Sequence, residues 1–250
     1  MKICVAQTKP VKGDIPANIA GHTKLISLAV VEGAGMIIFP ELSVTGYEPG
    51  LAKDLSIDKD DNCLDVFQHV SDEYRLIIAV GMPVRSENGI LIGMIIFQPQ
   101  QLRLLYAKHH LHADEYPYFV NGDRDILLKT GKHTLSFAIC YELLVPEHAA
   151  RAGQGGADIY IASVAKTPDG MVKASQALSE TAKKYSMTIL LSNCVGHCDD
   201  FDCGGRTAVW NNKGMLAGQL DGMNEGILIV DTDTMEVIAK QYIPGEISFV

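Results

Sequence analysis

An α/β fold with substantial antiparallel content is predicted by three features of this 250-residue chain. Short runs rich in Ile and Val recur between turn residues, as buried strands do. Helix-length segments carrying start and stop signals fall between some of these runs. Elsewhere two runs follow each other with only a turn between them, a connection that suits antiparallel pairs and is too short for a parallel crossover.

Ile3–Ala6 opens the chain as a first strand. Pro16–Val31 reads as a helix, with Pro16 in the first turn, where a missing N–H costs nothing, and Gly33 and Gly35 closing it. Met36–Phe39 is the next strand and Val66–Tyr74 the next helix. Residues 76–106 form a meander: Leu76–Val80 and Ile90–Phe97 are its apolar runs, and Glu87-Asn88-Gly89 and Gln98–Gln101 its turns. Leu135–Ile139, Ile159–Ala162 and Thr188–Leu191 are strands separated by helices over Pro146–Gly153 and Gly170–Tyr185. The second of these helices has Lys183 and Lys184 near its C-terminal end, where positive charge suits the helix dipole. Residues 206–230 read as another meander, with Asn211-Asn212-Lys213-Gly214 as a hairpin turn and Ile227–Val230 as the last strand. No repeat, low-complexity stretch or linker interrupts the pattern, so a single domain over residues 1–250 is expected.

Composition narrows the function. Hydrophobic residues make up 47% and charged residues 20%, enough to bury a sizeable core. A net charge of −9 argues against a nucleic-acid backbone or an anionic membrane surface as partner. No segment reaches the roughly 18 uninterrupted apolar residues of a membrane span. The N-terminus lacks a long apolar region with a cleavage site, so a cytoplasmic location is the expectation. In that setting the six cysteines are expected as free thiols.

Three segments place a reactive side chain just after an apolar strand, where side chains leave the core and meet a cleft. In Phe39-Pro40-Glu41 the carboxylate has apolar neighbours that raise its pKa and suit it to acid–base work; alternatively it is a solvated strand end. In Tyr106-Ala107-Lys108 the ammonium is placed to stabilise an oxyanion, with Glu115 to hold it. His109, His110 and His112 fit no standard zinc spacing and read as surface or supporting residues. In Ile139-Cys140-Tyr141 the thiol is a candidate nucleophile and the Tyr141 N–H a candidate oxyanion donor; the alternative is an inert buried cysteine. Cys194, Cys198 and Cys203 form a further cluster. Their C-x3-C-x4-C spacing is not the paired C-x2-C of zinc knuckles, so no metal is expected, and Asp199, Asp200 and Asp202 are read as a solvated loop.

Taken together, the three segments resemble the nitrilase superfamily of carbon–nitrogen hydrolases. Phe39-Pro40-Glu41 with Thr45-Gly46-Tyr47 is similar to that family's glutamate context. Tyr106, Lys108, His110 and Leu111 match its lysine context, and Ile139-Cys140-Tyr141-Glu142 with Pro146-Glu147 its cysteine context. The likeness extends to Ile3–Gln7, Gly155-Ala157-Asp158, and Asn193 with Gly196. It implies a four-layer α-β-β-α sandwich of two mixed β-sheets between helical layers, and a homodimer packed through helical layers. It also implies a Glu41–Lys108–Cys140 triad with Glu115 as a fourth catalytic residue and no cofactor.

The implied reaction converts a small amide to its acid and ammonia through a cysteine thioester. An N-carbamoyl hydrolase, a nitrilase, or a silent relative that binds a ligand or partner remain alternatives. Tyr47 is a candidate substrate-binding residue. Two positions depart from the family pattern: Glu142 stands where Asp is usual, and Arg206 where a small hydroxyl residue is common. Both are candidate substrate contacts, Arg206 through a guanidinium suited to a carboxylate.

Overall fold

A computed structural model describes residues 1–243; residues 244–250, the end of the expected domain span, lie outside the described residues. In chain order the strands of the first half are β1 (Lys2–Gln7), β2 (Met36–Ile38), β3 (Ile77–Ser86), β4 (Gly89–Phe97) and β5 (Leu104–Ala107). Those of the second half are β6 (Leu127–Thr130), β7 (His133–Ile139), β8 (Ile159–Ser163), β9 (Thr188–Ser192), β10 (Val195–Cys198), β11 (Phe201–Gly204), β12 (Ala208–Trp210) and β13 (Leu216–Gln219). β14 (Gly226–Asp231) and β15 (Val237–Gln241) follow. The helices are α1 (Ile15–Val31), α2 (Ala52–Leu55), α3 (Asp65–Tyr74), α4 (Pro146–Gln154) and α5 (Pro168–Tyr185).

Two mixed sheets result. The first runs β15-β14-β1-β2-β3-β4-β5 and the second β13-β12-β9-β8-β7-β6. Each has three parallel strands at its centre (β1, β2, β3 and β7, β8, β9) flanked by antiparallel ones. Alternation along the strands sorts the side chains into layers. Ile3, Val5, Met36 and Ile38 point inward, where they meet Leu135, Phe137, Ile139, Ile159 and Ile161 of the other sheet. Cys4, Ala6, Ile37 and Phe39 point outward against Leu25, Ile26 and Ala29 of α1 and Phe67 and Val70 of α3. On the far side Ala138, Tyr160 and Ala162 pack on Ala149 and Ala152 of α4 and Met171, Ala174 and Leu178 of α5. The architecture is the expected α-β-β-α sandwich.

Local signals explain the helix ends. The Asp14 carboxylate accepts from the Ala17 N–H and caps α1, with Pro16 in the first turn. Thr167 caps α5 through the Gly170 N–H. The sheets are also joined by side chains at one edge. Ser163 Oγ donates to the Phe39 carbonyl at 2.9 Å, and Ser192 Oγ to the Ala6 carbonyl at 2.6 Å. These bonds register the C-terminal ends of the parallel strands of both sheets against each other, the edge where such folds carry their sites.

Two expectations need correction. Residues 206–230 are not one meander: β12 and β13 form the hairpin and stay in the second sheet, whereas β14 crosses to the first and pairs antiparallel with β1. Asp199, Asp200 and Asp202 are exposed, as expected, but they belong to the β10–β11 hairpin rather than to an irregular loop, with Gly196 paired to Cys203 and Cys198 to Phe201.

Candidate active site

Glu41 follows β2 on a tight turn. Leu42 takes φ +50°, and the turn lies so close to Gly81 of β3 that a Cβ there would sit 2.6 Å from the Pro40 carbonyl and 2.5 Å from the Leu42 nitrogen. Only glycine admits the turn at that distance. Lys108 leaves the end of β5. Cys140 ends β7 at φ +47°, a left-handed conformation disfavoured for any residue with a side chain, and opens a short 3-10 turn, Cys140–Leu144. Cys140 is partly exposed there, packed against both the layer between the sheets and the helix side of the second sheet, while Glu41, Lys108 and Glu115 are buried.

The Lys108 ammonium lies between two carboxylates, donating to Glu41 Oε1 at 2.8 Å and to Glu115 Oε1 at 2.6 Å. Glu115 is itself held by the Tyr47 hydroxyl at 2.9 Å and the His112 N–H at 2.7 Å. The second Glu41 oxygen, Oε2, is buried without a hydrogen-bond partner among the described residues, and the Cys140 thiol is close enough to favour the charged carboxylate. The Cys140 thiol also makes a weak contact with the Ala165 carbonyl, to which it donates at 3.8 Å.

The electrostatics follow from burial and from these neighbours. Burial pushes the Glu41 carboxyl up, against the pull of the Lys108 charge, so a proton on Glu41 is less costly than in water. Burial also works against charge on Lys108, but Glu41 and Glu115 outweigh it and the ammonium is held firmly protonated. Burial and the Glu41 charge push the Cys140 thiol up to about 11, partly offset by Lys166 and Lys108. The thiol is therefore stored protonated beside a carboxylate with a free oxygen and an ammonium that cannot lose its charge. Such a set can deliver a thiolate to an electrophilic carbon, stabilise the oxyanion that forms, and return the proton to a leaving group.

The remaining candidates divide. Tyr47 lines the cleft with Glu115, Cys140 and Tyr141. Glu142 does not. It is buried and accepts from the Tyr106 hydroxyl at 2.7 Å, the Ile139 N–H at 2.7 Å and the His109 N–H at 2.6 Å. His148 extends this network from Tyr106 to Tyr160. Glu142 thus ties the Cys140 turn to the segment after Lys108, and its carboxylate has no capacity left for a substrate. Arg206 is also outside the cleft: it is exposed and borders a separate surface depression beside Trp210 and Gln219. His109, His110 and His112 do not converge on a common ligand point with other ligating groups among the described residues.

Sequence reading missed part of the cleft wall. Lys166, Lys173, Asp114, Asp199, Asp200 and Phe201 line a cleft of about 310 Å³ with Cys140. Lys166 lies on the loop before α5 and Lys173 within α5, neither beside a motif, and Asp199, Asp200 and Phe201 reach the cleft because β10 and β11 fold back as a hairpin.

Residues 2–242 match the carbon-nitrogen hydrolase family. The chain is 28% identical over 251 residues to a glutamine-dependent NAD(+) synthetase of Aquifex aeolicus, covering 96% of this chain and 44% of that protein. This chain therefore spans less than half the length of that relative. It is 23% identical over 207 residues to a 2-oxoglutaramate amidase of Bacillus subtilis, covering 81% of this chain and 80% of the relative. An amidase from Nesterenkonia sp. AN1, solved in complex with butyramide, superposes with a TM-score of 0.85 at 22% identity, covering 92% of this chain and 90% of that one. The likeness to that structure is one of fold: two mixed sheets between helices. With the match running from the first strand past β15, the chain belongs to the carbon-nitrogen hydrolase family.

Proposed function

We propose that the chain is an amidase that hydrolyses a small amide to its carboxylic acid and ammonia through a thioester on Cys140. The observation that carries this reading is the Lys108 ammonium held between Glu41 and Glu115 beside a partly exposed thiol. Glu41 takes the thiol proton as sulfur adds to the amide carbon. The oxyanion is met by Lys108 and the Tyr141 N–H; loss of one such donor typically costs about 10²–10³ in rate. Glu41 then gives its proton to the departing nitrogen, and ammonia leaves as the C–N bond breaks. Water, deprotonated by Glu41, attacks the thioester; the C–S bond breaks, the acid is released and the thiol regains its proton. Glu115 positions Lys108, and Tyr47 positions Glu115. No step requires a cofactor.

The mouth of the cleft carries both signs of charge, Lys166 and Lys173 against Asp114, Asp199 and Asp200, which suits an amide with a charged polar tail better than a plain aliphatic one. Relatives described as a 2-oxoglutaramate amidase and as glutamine-dependent NAD(+) synthetases accord with an ω-amide of a dicarboxylate. We further propose that the enzyme acts as a cytoplasmic homodimer; among the described residues no helix is long and apolar enough to cross a membrane.

The test is ammonia release from a panel of small amides, ω-amides of dicarboxylates, N-carbamoyl amino acids and nitriles, with Cys140→Ala as control. Release from an ω-amide by the wild type alone supports the proposal. Turnover confined to N-carbamoyl compounds or nitriles moves the reading to those hydrolases, and silence across the panel moves it to a ligand- or partner-binding relative. Sedimentation giving only a monomer would remove the dimer.

A further inference from the structure

The β10–β11 hairpin carries three cysteines that the proposed reaction does not use. Cys194 precedes β10, Cys198 ends it and Cys203 lies in β11. The hairpin register sets Cys203 opposite Gly196 and Cys198 opposite Phe201, and so returns the third cysteine to the first two. All three are buried, at 1%, 1% and 5% exposure, within the apolar layer between the sheets. Their sulfurs lie within 4.8 Å of one another, Cys194 to Cys198 at 4.0 Å and Cys194 to Cys203 at 2.8 Å, and all three are free thiols.

We propose that Cys194, Cys198 and Cys203 form a three-thiolate site for a thiophilic metal ion, Zn(II) or Cu(I), that fixes the hairpin wall of the cleft. Thiolate–metal bonds of about 2.3 Å place three sulfurs around one ion at roughly 4 Å from each other. The Cys194–Cys198 separation already has that value, and Cys203 has to move by about an ångström to match it. The donor set decides the class of ion. His197 is exposed and directed to Asp202, so neither imidazole nor carboxylate joins the sulfurs. An all-sulfur set selects soft or borderline ions and discriminates against oxygen-seeking Mg(II) and Ca(II). Three thiols crowded into an apolar layer are poorly accommodated as weak donors to one another, whereas an ion satisfies all three at once.

The ion would lie behind the cleft rather than in it. Phe201, between Cys198 and Cys203 in sequence, packs on the Tyr47 ring with centroids 5.7 Å apart, and Asp199, Asp200 and Phe201 face the cleft. The role is therefore to hold these groups in place. The spacing of the three cysteines argued against a metal; it is the hairpin turn at Asp199-Asp200 that brings them together.

The test begins with wild-type protein. Reduced, metal-free protein is titrated anaerobically with Zn(II) or Cu(I) in competition with a chromophoric chelator, and Co(II) is added separately to look for a thiolate-to-cobalt charge-transfer band. One ion per chain is expected, with the cobalt band present. Affinity should fall at least 100-fold in Cys203→Ser and remain unchanged in Cys63→Ser and Cys140→Ala. Failure of the wild type to bind either ion would overturn the proposal. So would equal binding by a folded variant lacking all three cysteines, or a Cys194–Cys203 disulfide in peptide maps of protein whose thiols were trapped on lysis. Because the readout is binding, none of these outcomes depends on the amidase reading.

Discussion

Replacing Glu41 by Gln keeps the shape of the side chain and removes its charge and its proton-accepting oxygen. The fold should survive, because Lys108 retains Glu115 at 2.6 Å as a counter-charge. The cost to turnover can be worked from the thiol. With Cys140 pushed up to about 11, the fraction present as thiolate at pH 7 is on the order of 10⁻⁴. Without a base to take the proton during attack, the reaction must draw on that fraction. Because losing the Glu41 charge also lowers the thiol, that fraction is a minimum, and the expected loss in kcat/KM is at most about 10⁴-fold, or about 5.4 kcal/mol of barrier, at the upper end of what general-base catalysis supplies. The loss should shrink as pH rises, by roughly tenfold per pH unit, because hydroxide then does the work of Glu41. The rise should level off below about pH 11, since removing the Glu41 charge removes one of the causes that holds the thiol up. The assay is ammonia release across pH for wild type and Glu41→Gln, with the alkylation rate of Cys140 by iodoacetamide, read from its peptide by mass spectrometry, as a readout that needs no known substrate. A deficit under tenfold at pH 7, or one that stays constant with pH, would refute the reasoning.

Other outcomes follow from the same geometry. Glu142→Gln should destabilise the fold by about 1–3 kcal/mol in urea unfolding, since a buried acceptor of four donors loses its charge-assisted bonds; unchanged stability would contradict its structural role. Arg206→Ala should leave KM and kcat within about twofold, because the side chain is exposed and away from the cleft; a large rise in KM would return it to the substrate site. Stability should also decline at alkaline pH. The folded Cys140 thiol titrates near 11 against an ordinary value of 9.0, so its contribution is complete below about pH 9 and is lost as pH rises through 11. Unfolding of wild type and Cys140→Ala at several alkaline pH values should show a shallower decline in the variant.

Much of this molecule was legible in the chain because its central strands are short, apolar and bounded by strong turn signals. Ile3–Ala6, Leu135–Ile139 and Ile159–Ala162 lie in the strands that position the site, as does Met36–Phe39 except for Phe39, which follows β2. The segments holding Glu41, Lys108 and Cys140 could be read as strand ends, and the structure brings the three together. What escaped notice lacks such a signal. Leu127–Thr130, Val195–Cys198, Phe201–Gly204 and Val237–Gln241 are edge or hairpin strands with polar residues and glycine, in which pairing supplies what side-chain pattern does not. The crossing of β14 to the first sheet is invisible locally, because a strand's own sequence does not say which sheet will accept it. Arg206 failed as a site residue for a related reason. Its distance in sequence from Gly205 is fixed, but with φ +58° its backbone turns and its side chain leaves on the side of Trp210, not of Cys140. Glu142 was chemically conspicuous, yet its role is set by four donors from segments up to 36 residues away, which only the fold assembles.

The central claim is that Cys140 carries the acyl group. It is tested most directly by quenching the wild-type enzyme in acid during the first turnover of an amide that it hydrolyses, and locating the added mass by peptide mapping. The expected result is an acyl adduct on Cys140 and on no other residue, appearing with the first equivalent of ammonia. An adduct on a different side chain, or a full equivalent of ammonia released early with Cys140 unmodified, would contradict the account.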